Sequence, residues 1–261
     1  MRRLESSLGV RLLNRTTRSV TPTEAGERML ERLMPALGEI EDALDVVNGF
    51  RDSPTGTLRL SVPVIVAREI LPPIANRFLR AHPGITLEVS ANDTFIDVLA
   101  AGLDAGIRYQ ERIERDMIAV PIGPRVQQFA AALSPSYLAA RGMPMHPRDL
   151  AEHDCIRHRF ASGVTVDWEF MRAGETVRVK PNGPLVTTSI ELQLSAAVAG
   201  LGVICTFEDF LRGPLERGEL VPVLREWWQS FSGPFLYYPS RRNMPAPLRA
   251  FVDFIRREER S

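Results

Sequence analysis

The sequence predicts an α/β protein in which a small basic head and one long amphipathic helix precede two lobes of alternating strands and helices. Residues 1–20 carry five arginines against a single glutamate, a side-chain charge of +4. From Ala25 to Val47, apolar residues recur every three or four positions, which is the period of an amphipathic helix. Beyond residue 57, short apolar runs alternate with helical patterns, as is typical of α/β folds.

Length and composition limit the class of protein. The chain has 261 residues, with 32 basic and 32 acidic side chains, and 44% of its residues are hydrophobic. It can therefore bury a sizeable core, and it contains no apolar run of the roughly 20 residues that a membrane helix needs. The first residues, MRRLESSLGV, lack the apolar core of a signal peptide, so we expect a cytoplasmic protein without a membrane partner. Cys155 and Cys205 should then be reduced.

The head is predicted to be a helix followed by a hairpin. Residues 2–8 have helical spacing of leucines, and Gly9 stands where a C-terminal glycine cap belongs. Residues 10–21 form two short strand patterns around the polar turn 16–19. A helix followed by a basic hairpin is the arrangement that winged helices use to contact DNA. A solvated, charged turn is the alternative interpretation.

A long helix is predicted to follow the head. Thr21 can cap it, Pro22 suits its first position, and Glu24 completes a capping box. The apolar stripe predicts one helix over about residues 22–49, roughly 40 Å long, with a kink at Pro35. So small a head cannot cover the stripe of so long a helix, and we therefore expect a second copy of the chain to cover it.

After the turn-rich segment 52–56, strands and helices alternate, which predicts largely parallel sheets. The predicted strands are 58–64, 85–90, 105–109, 129–133, 177–179, 185–188, 203–206 and 218–224, the last at a sheet edge, and 235–238. The predicted helices are 70–81, 95–101, 135–141, 190–199 and 247–257. About 200 residues of this pattern are too many for one small sheet, so we expect two lobes with a cleft between them.

Motifs that would carry catalysis or bind a cofactor are weak in this chain. Gly200-Leu201-Gly202 follows a helix and has no third glycine, so a helix stop is a better interpretation than a nucleotide loop. His153, Cys155 and His158 have no second pair of closely spaced ligands, which disfavours a metal site. Because GxSxG, HExxH and phosphate-loop motifs are absent, we expect no enzyme, no cofactor and no metal.

Two further features each have two interpretations. Cys155 and Cys205 could form a redox switch, but Cys205 lies in an apolar run and reads better as a core residue. Trp227-Trp228 reads as core, with a contact between lobes or subunits as the alternative.

The N-terminal segment RRLESSLGVRLLNRTTRSVTPTEAGERML resembles LysR-type transcriptional regulators. The fitting positions are Arg3, Leu4, Glu5, Leu8, Gly9, Leu12, Arg15, Thr16, Arg18, Thr23, Ala25 and Gly26. Later segments fit as well, namely PTGTLRLSVP, DAGIRY, AAVAGLGVICTFEDFL, GPLERGELVPVL and PAPLRAFVDFIR. The resemblance extends over essentially the whole chain.

The resemblance implies a bacterial, homo-oligomeric regulator, dimeric or tetrameric, in which a small effector between two lobes changes how the protein sits on promoter DNA. It divides the chain into a partial winged helix-turn-helix at 1–21, a linker helix for dimerisation at 22–50, a hinge at 51–57 and a periplasmic-binding-protein-like effector domain at 58–261. Within the effector domain, lobe I would cover about 58–123 and 234–261, and lobe II about 124–233. Because the family has roughly 30–35 residues before RRLE, we expect the true start to lie upstream of Met1. A regulator impaired in DNA binding, or a solute-binding module built on the same lobes, is the alternative.

The resemblance also supplies candidate site residues. Arg2 and Arg3 would continue the recognition helix, while Arg15, Thr17 and Arg18 would form the wing. The effector candidates are Val64, Ile65, Thr94, Arg108, Tyr109, Thr188 and Ser189.

The effector candidates carry two conflicting indications. Many relatives have serine or threonine near positions 64–65, which grips a carboxylate, so the apolar pair here puts an anionic aromatic effector in doubt. Thr188 and Ser189 precede a helix N-terminus, which favours an acceptor or anion there. For Arg108, a structural salt bridge to Asp104 is the alternative role.

Overall fold

The structure is a computed structural model, and it describes residues 2–15, 20–33, 36, 40, 54–93, 102–109, 117–239 and 244–258. The head contains helix α1 (Arg2–Leu8), followed by Gly9 with a φ of +67°, as the sequence predicts. Strands β1 (Leu13–Arg15) and β2 (Val20–Pro22) pair antiparallel and confirm the hairpin. Its turn, 16–19, lies outside the described residues.

The long helix starts later than the sequence predicts. Helix α2 covers residues 24–33, and residues 36 and 40 are also helical. Thr21 and Pro22 belong to β2, so the prediction that Thr21 caps the helix is wrong. Thr23 caps it instead, because the Gly26 amide donates to Thr23 Oγ1 over 3.1 Å. The predicted kink at Pro35 and the end near residue 49 lie outside the described residues.

The rest of the chain alternates strands with helices. The strands are β3 (Gly56–Val62), β4 (Ile85–Ala91), β5 (Ala105–Arg108), β6 (Met117–Pro121), β7 (Val126–Leu133), β8 (Cys155–His158), β9 (Trp168–Arg172), β10 (Glu175–Val179), β11 (Leu185–Thr187), β12 (Val203–Phe207), β13 (Val221–Val223), β14 (Ser230–Ser232) and β15 (Phe235–Pro239). The helices are α3 (Leu71–Ala81), α4 (Pro135–Arg141), α5 (Ile190–Val198), α6 (Glu208–Glu216) and α7 (Ala246–Glu258), with a π-helical turn at Val66–Ile70 and 3₁₀ turns at Pro147–Glu152 and Arg225–Trp227. The predicted helix 95–101 lies outside the described residues.

Lobe I is built on a five-stranded sheet of order β4-β3-β5-β15-β6. Strand β3 runs parallel to β4 and β5, while β15 runs antiparallel to β5 and β6. Phe78 of α3 is 0% exposed, and its ring contacts those of Phe251 and Phe254 of α7, with centroids 4.9 and 5.6 Å away. The apolar faces of α3 and α7 thus form the core of this lobe.

Lobe II is built on a second sheet, of order β11-β8-β12-β7-β13, with β14 paired to β7. Strands β11, β8 and β12 are parallel, but β7 is antiparallel to β12, β13 and β14. Both sheets are therefore mixed, and the expectation of largely parallel sheets is wrong. The reason is the path of the chain, which crosses between the lobes twice and runs the crossing strands against the others.

Lobe II has a second core on the side of β9 and β10. Trp168, Phe170 and Trp227 are each 4% exposed or less and belong to this core. Trp228 is partly buried, and its indole N–H donates to the carbonyl of Val223 over 2.9 Å. Of the two interpretations of the tryptophan pair, the core position therefore fits Trp227.

Two crossover segments connect the lobes, residues 122–125 and 233–234. They are hydrogen-bonded to each other: the Ile122 amide donates to the carbonyl of Pro234 over 3.0 Å, and the Gly233 amide donates to that of Arg125 over 2.9 Å. This pairing fixes where the two lobes meet.

Candidate functional site

The head is held together by the hydrogen bonds of two residues, Glu5 and Thr23. Glu5 Oε1 of α1 accepts from the amides of Leu12 and Leu13 over 3.0 and 3.1 Å, so the helix holds the first strand of the hairpin. At the other side, Thr23 donates through Oγ1 to the carbonyl of Arg11 over 2.7 Å and through its amide to that of Leu12 over 2.9 Å. The helix, the hairpin and the start of α2 therefore form one connected unit.

Gly26 lets α2 approach this unit closely. A Cβ built at Gly26 would overlap the carbonyl oxygen of Leu12. The sequence shows Gly26 only as part of the family pattern, and the structure gives the physical reason for it.

The predicted DNA-contacting residues are only partly described. Arg3 lies exposed on α1. Arg2 and Arg15 have described backbones in α1 and β1, but their side chains lie outside the described part. Thr17 and Arg18 lie wholly outside it. Their contacts with DNA stay predictions.

The interlobe cleft is the space between the ends of β3, β4 and β5 and the facing elements of lobe II. On its lobe I side, the structure differs in part from the prediction. Val64 is partly buried, and its amide donates to Asp93 Oδ1 over 3.0 Å. Ile65, however, is 2% exposed and packs in the core. The prediction that its side chain lines the cleft is wrong, because residues 64–65 are already helical and turn Ile65 inward. Thr94 lies outside the described residues.

Arg108 is buried, with 4% of its surface exposed. Its guanidinium donates to the carbonyls of Ser61 and Ile107 over 3.2 and 2.7 Å and to Ser61 Oγ over 2.9 Å. At the other end of the same segment, Asp104 Oδ2 accepts from the Arg59 amide over 2.7 Å. Both ends of the DAGIR segment are thus fastened to β3.

Tyr109 starts a chain of hydrogen bonds from lobe I into lobe II. Its hydroxyl donates to Gln127 Oε1 over 2.7 Å, and Gln127 Nε2 donates to Asp209 Oδ2 over 2.8 Å. Arg212 donates to the other oxygen of Asp209 over 2.6 Å. Burial raises the pKa of Tyr109, and the negative charges of Asp209 and Asp93 raise it further, so the phenol keeps its proton.

Four aromatic rings, those of Tyr109, Phe129, Phe207 and Phe231, form what we call the aromatic floor of the cleft. Phe207 stacks on Tyr109 at a centroid distance of 5.7 Å, and Phe129 lies 4.7 Å from Phe207 and 5.0 Å from Phe231. All four are partly exposed. Sequence reasoning found only Tyr109, because the phenylalanines come from three separate strands that only the sheet register brings together.

The N-terminus of α5 already carries an anion of the protein itself, the carboxylate of Glu191. Ser189 caps this helix by accepting from the Leu192 amide over 3.2 Å, and it donates to Glu191 Oε2 over 2.9 Å. Glu191 Oε1 accepts from Arg68 of lobe I over 3.1 Å, which makes an ion pair between the lobes. Hydrogen bonds from its own amide and from Ser189, together with Arg68, lower the pKa of Glu191. Thr188 is exposed beside it.

His158 stands on β8 at the lobe II side of the cleft. Its Nδ1 lies 2.7 Å from Nε2 of the buried Gln193. Burial lowers the pKa of His158, against the opposing effect of the Asp93 charge, so the ring is neutral at pH 7.

The cysteines are free, and burial raises the pKa of each thiol to about 12. They are therefore protonated at neutral pH, which disfavours a redox switch. Within the described residues, no three His, Cys, Asp or Glu side chains are grouped as metal ligands. The described helices include none that is long and apolar enough to cross a membrane.

A groove of about 1040 Å³ lies outside the predicted cleft, between α3, α7 and the first crossover segment. Arg77 and Glu258 on its wall form an ion pair of 2.7 Å. None of the predicted effector residues lines this groove.

In comparison with known proteins, two family models match the chain. A model described as the LysR substrate binding domain matches residues 51–260, and one described as a bacterial regulatory helix-turn-helix protein of the lysR family matches residues 1–27. Within the described residues, the first match contains both lobes and the second contains α1 and the hairpin.

The similar proteins are transcriptional regulators, and this chain spans more than four-fifths of the length of each of the three named here. A putative transcriptional regulator of Pseudomonas aeruginosa is 41% identical over 254 residues, 97% of this chain and 83% of the relative. The uncharacterized HTH-type transcriptional regulator YcaN of Escherichia coli is 39% identical over 253 residues, 97% of this chain and 82% of the relative. The full-length structure of the Vibrio cholerae virulence activator AphB is similar with a TM-score of 0.74 at 28% identity, over 97% of this chain and 86% of that one.

These relatives do not favour the alternative of a solute-binding module. The chain belongs to the LysR family of transcriptional regulators, in which a helix-turn-helix region is combined with a two-lobed effector-binding domain.

Proposed function

We propose that this chain contacts promoter DNA through α1 and the basic hairpin, with Arg2, Arg3, Arg15, Thr17 and Arg18, and that a small molecule in the interlobe cleft controls this contact. The observation that carries the proposal is the connected head, in which Glu5 and Thr23 join helix, hairpin and α2. In this proposal, an event in the lobes would be passed to the basic hairpin through α2.

The effector would contact the ends of lobe I strands and the facing elements of lobe II. Val64, Tyr109, Thr188 and Ser189 are partly buried or exposed, which leaves surface for a ligand. Arg108 and Ile65 are buried supports of the same cleft. The protein would act by binding rather than by catalysis, in the cytoplasm where promoter DNA lies.

Arg18→Ala tests the role of the hairpin. Phosphate contacts by arginine add about 0.9 each to the slope of log affinity against log salt. We expect this variant to bind all DNA sequences more weakly and to reduce the slope by about one. The measurement is fluorescence anisotropy with the DNA directly upstream of the gene, over a range of salt concentrations.

Arg178→Ala is the matched control, because Arg178 is exposed on β10 and pairs with Glu169 at 2.8 Å. It should leave affinity and slope unchanged. An unchanged slope for Arg18→Ala would remove the hairpin from the DNA interface, and no binding of this DNA by the parent chain would contradict the proposal as a whole.

The chain would work as a homodimer or a homotetramer joined along α2. Leu30 and Leu33 on this helix, and the helical residue Ile40, are 40–58% exposed, although they are large and apolar, and their spacing suits a helix-to-helix contact. Light scattering should give at least twice the mass of one chain. Leu30→Glu with Leu33→Glu should shift it toward the monomer, whereas a monomeric parent chain would contradict this assembly.

A further inference from the structure

We propose that the cleft selects an effector with a positively charged amine on an aromatic or apolar body. This proposal rests on the proposed function, in which a small molecule binds between the lobes. It concerns the chemical class of that molecule.

The position that would attract an anion is already filled by the protein. Glu191 lies in the first turn of α5, held by Ser189 Oγ at 2.9 Å and by Arg68 at 3.1 Å. Arg68 also pairs with Glu69 at 3.1 Å. A carboxylate effector would have to displace Glu191 from the helix and separate Arg68 from two carboxylates.

The other candidate positions for an anion are no better. Val64 offers no hydroxyl where a carboxylate would be gripped, and its amide is bonded to Asp93. The guanidinium of Arg108 is anchored on Ser61, a residue that is 0% exposed. The hydrogen bonds to Ser61 and Ile107 hold the guanidinium of Arg108 within the lobe I sheet.

The cleft instead presents negative charge. Asp93 is exposed just after β4, and its Oδ1 accepts from the Val64 amide over 3.0 Å, which places its carboxylate at the edge of the lobe I sheet where the parallel strands β3 and β5 also end. His158 is neutral, so it does not offset this charge.

The aromatic floor supplies the second half of the recognition. The face of an aromatic ring attracts cations, and partly exposed rings also bind an apolar body. Tyr109 belongs to this floor and directly follows β5, at the same sheet edge as Asp93, so an amine near Asp93 would lie beside ring surface. Rings and carboxylate together favour an aryl-alkyl amine over its carboxylate counterpart.

Two probes of matched size test the class on the full chain: 2-phenylethylammonium and 3-phenylpropanoate. We expect the ammonium probe to raise the Tm in a dose-dependent way and to bind in calorimetry, and the carboxylate to do neither. Asp93→Asn keeps an acceptor for the Val64 amide and should weaken ammonium binding by at least about fivefold. Phe231→Leu should weaken it as well.

Asp167→Asn is the control, an equal loss of charge at an exposed residue before β9, and it should bind the ammonium probe like the parent. The melting of each variant without probe shows that it folds. The class is wrong if the ammonium probe does not bind, or if Asp93→Asn binds it unchanged. If 3-phenylpropanoate binds instead and Phe231→Leu weakens it, the cleft stands and only the charge of the effector is wrong. DNA binding without probe is measured separately and decides the proposed function.

Discussion

Replacing Gly233 with alanine should destabilise the chain by about 3 kcal/mol and lower its Tm by about 6–12 °C. A Cβ at Gly233 would overlap the carbonyl oxygen of Pro124. Both atoms lie in the crossover segments that join the lobes, and hydrogen bonds at 2.9 and 3.0 Å hold these segments together. The backbone must move for the methyl group to fit, which strains or breaks this pairing.

Gly213→Ala is the matched control, since it adds the same methyl group in helix α6. There the new Cβ would meet only the end of the flexible Arg217 side chain, 3.0 Å away. Alanine favours a helix, but here it precedes Pro214, which disfavours a helical residue with a Cβ, so we expect the stability of this variant to stay within about 1 kcal/mol of the parent. Thermal unfolding of the three proteins decides the matter. If Gly233→Ala melts with the parent, the crossover segments are loose rather than tightly paired.

The contact at Gly233 shows what the sequence could not predict. FSGPF reads locally as a turn, and the atom that excludes a side chain belongs to Pro124, far away along the chain. The same limit hid the aromatic floor, because Phe129, Phe207 and Phe231 meet only through strand pairing. The antiparallel strands were not predicted either, because the alternation of strands and helices along the sequence does not show where the chain crosses from one lobe to the other.

Local patterns, in contrast, predicted local structure well. The spacing of leucines and the following glycine predicted α1 and its end at Gly9, and the apolar stripe predicted the described part of α2. At the helix start, the sequence predicted Thr21 as the cap. Thr23 caps the helix instead, because the pairing of β1 with β2 takes Thr21 into the hairpin. The apolar pattern of the helix gives no information about this pairing.

Arg108→Met should cost about 3 kcal/mol of stability. The arginine is 4% exposed, and methionine replaces its apolar stem but none of its donors. The carbonyls of Ser61 and Ile107 and the hydroxyl of Ser61 would lose a hydrogen bond inside the protein. Each buried acceptor left without a donor costs about 1–3 kcal/mol, and partial relaxation brings the sum to this range.

Arg178→Met is the control for removing one arginine. Arg178 pairs with Glu169 on the surface, with 76% of its side chain exposed, so its loss should cost less than about 1 kcal/mol. Arg108→Lys should restore only part of the stability, because one ammonium group cannot reach Ser61 O and Oγ through two separate nitrogens as the guanidinium does. Denaturant unfolding at pH 7 measures all three variants.

The sequence left open whether Arg108 contacts the effector or has a structural role, there a salt bridge to Asp104, and the result separates an effector contact from a structural role. A residue that contacts the effector would lose the ligand response at full stability, whereas a residue that fastens β5 to β3 loses stability first. The geometry favours the second role. Adjacent side chains at a strand end point to opposite sides, so Arg108 is bonded into the lobe I sheet while Tyr109 reaches Gln127 across the cleft. A stable Arg108→Met that no longer responds to ligand would reverse this assignment.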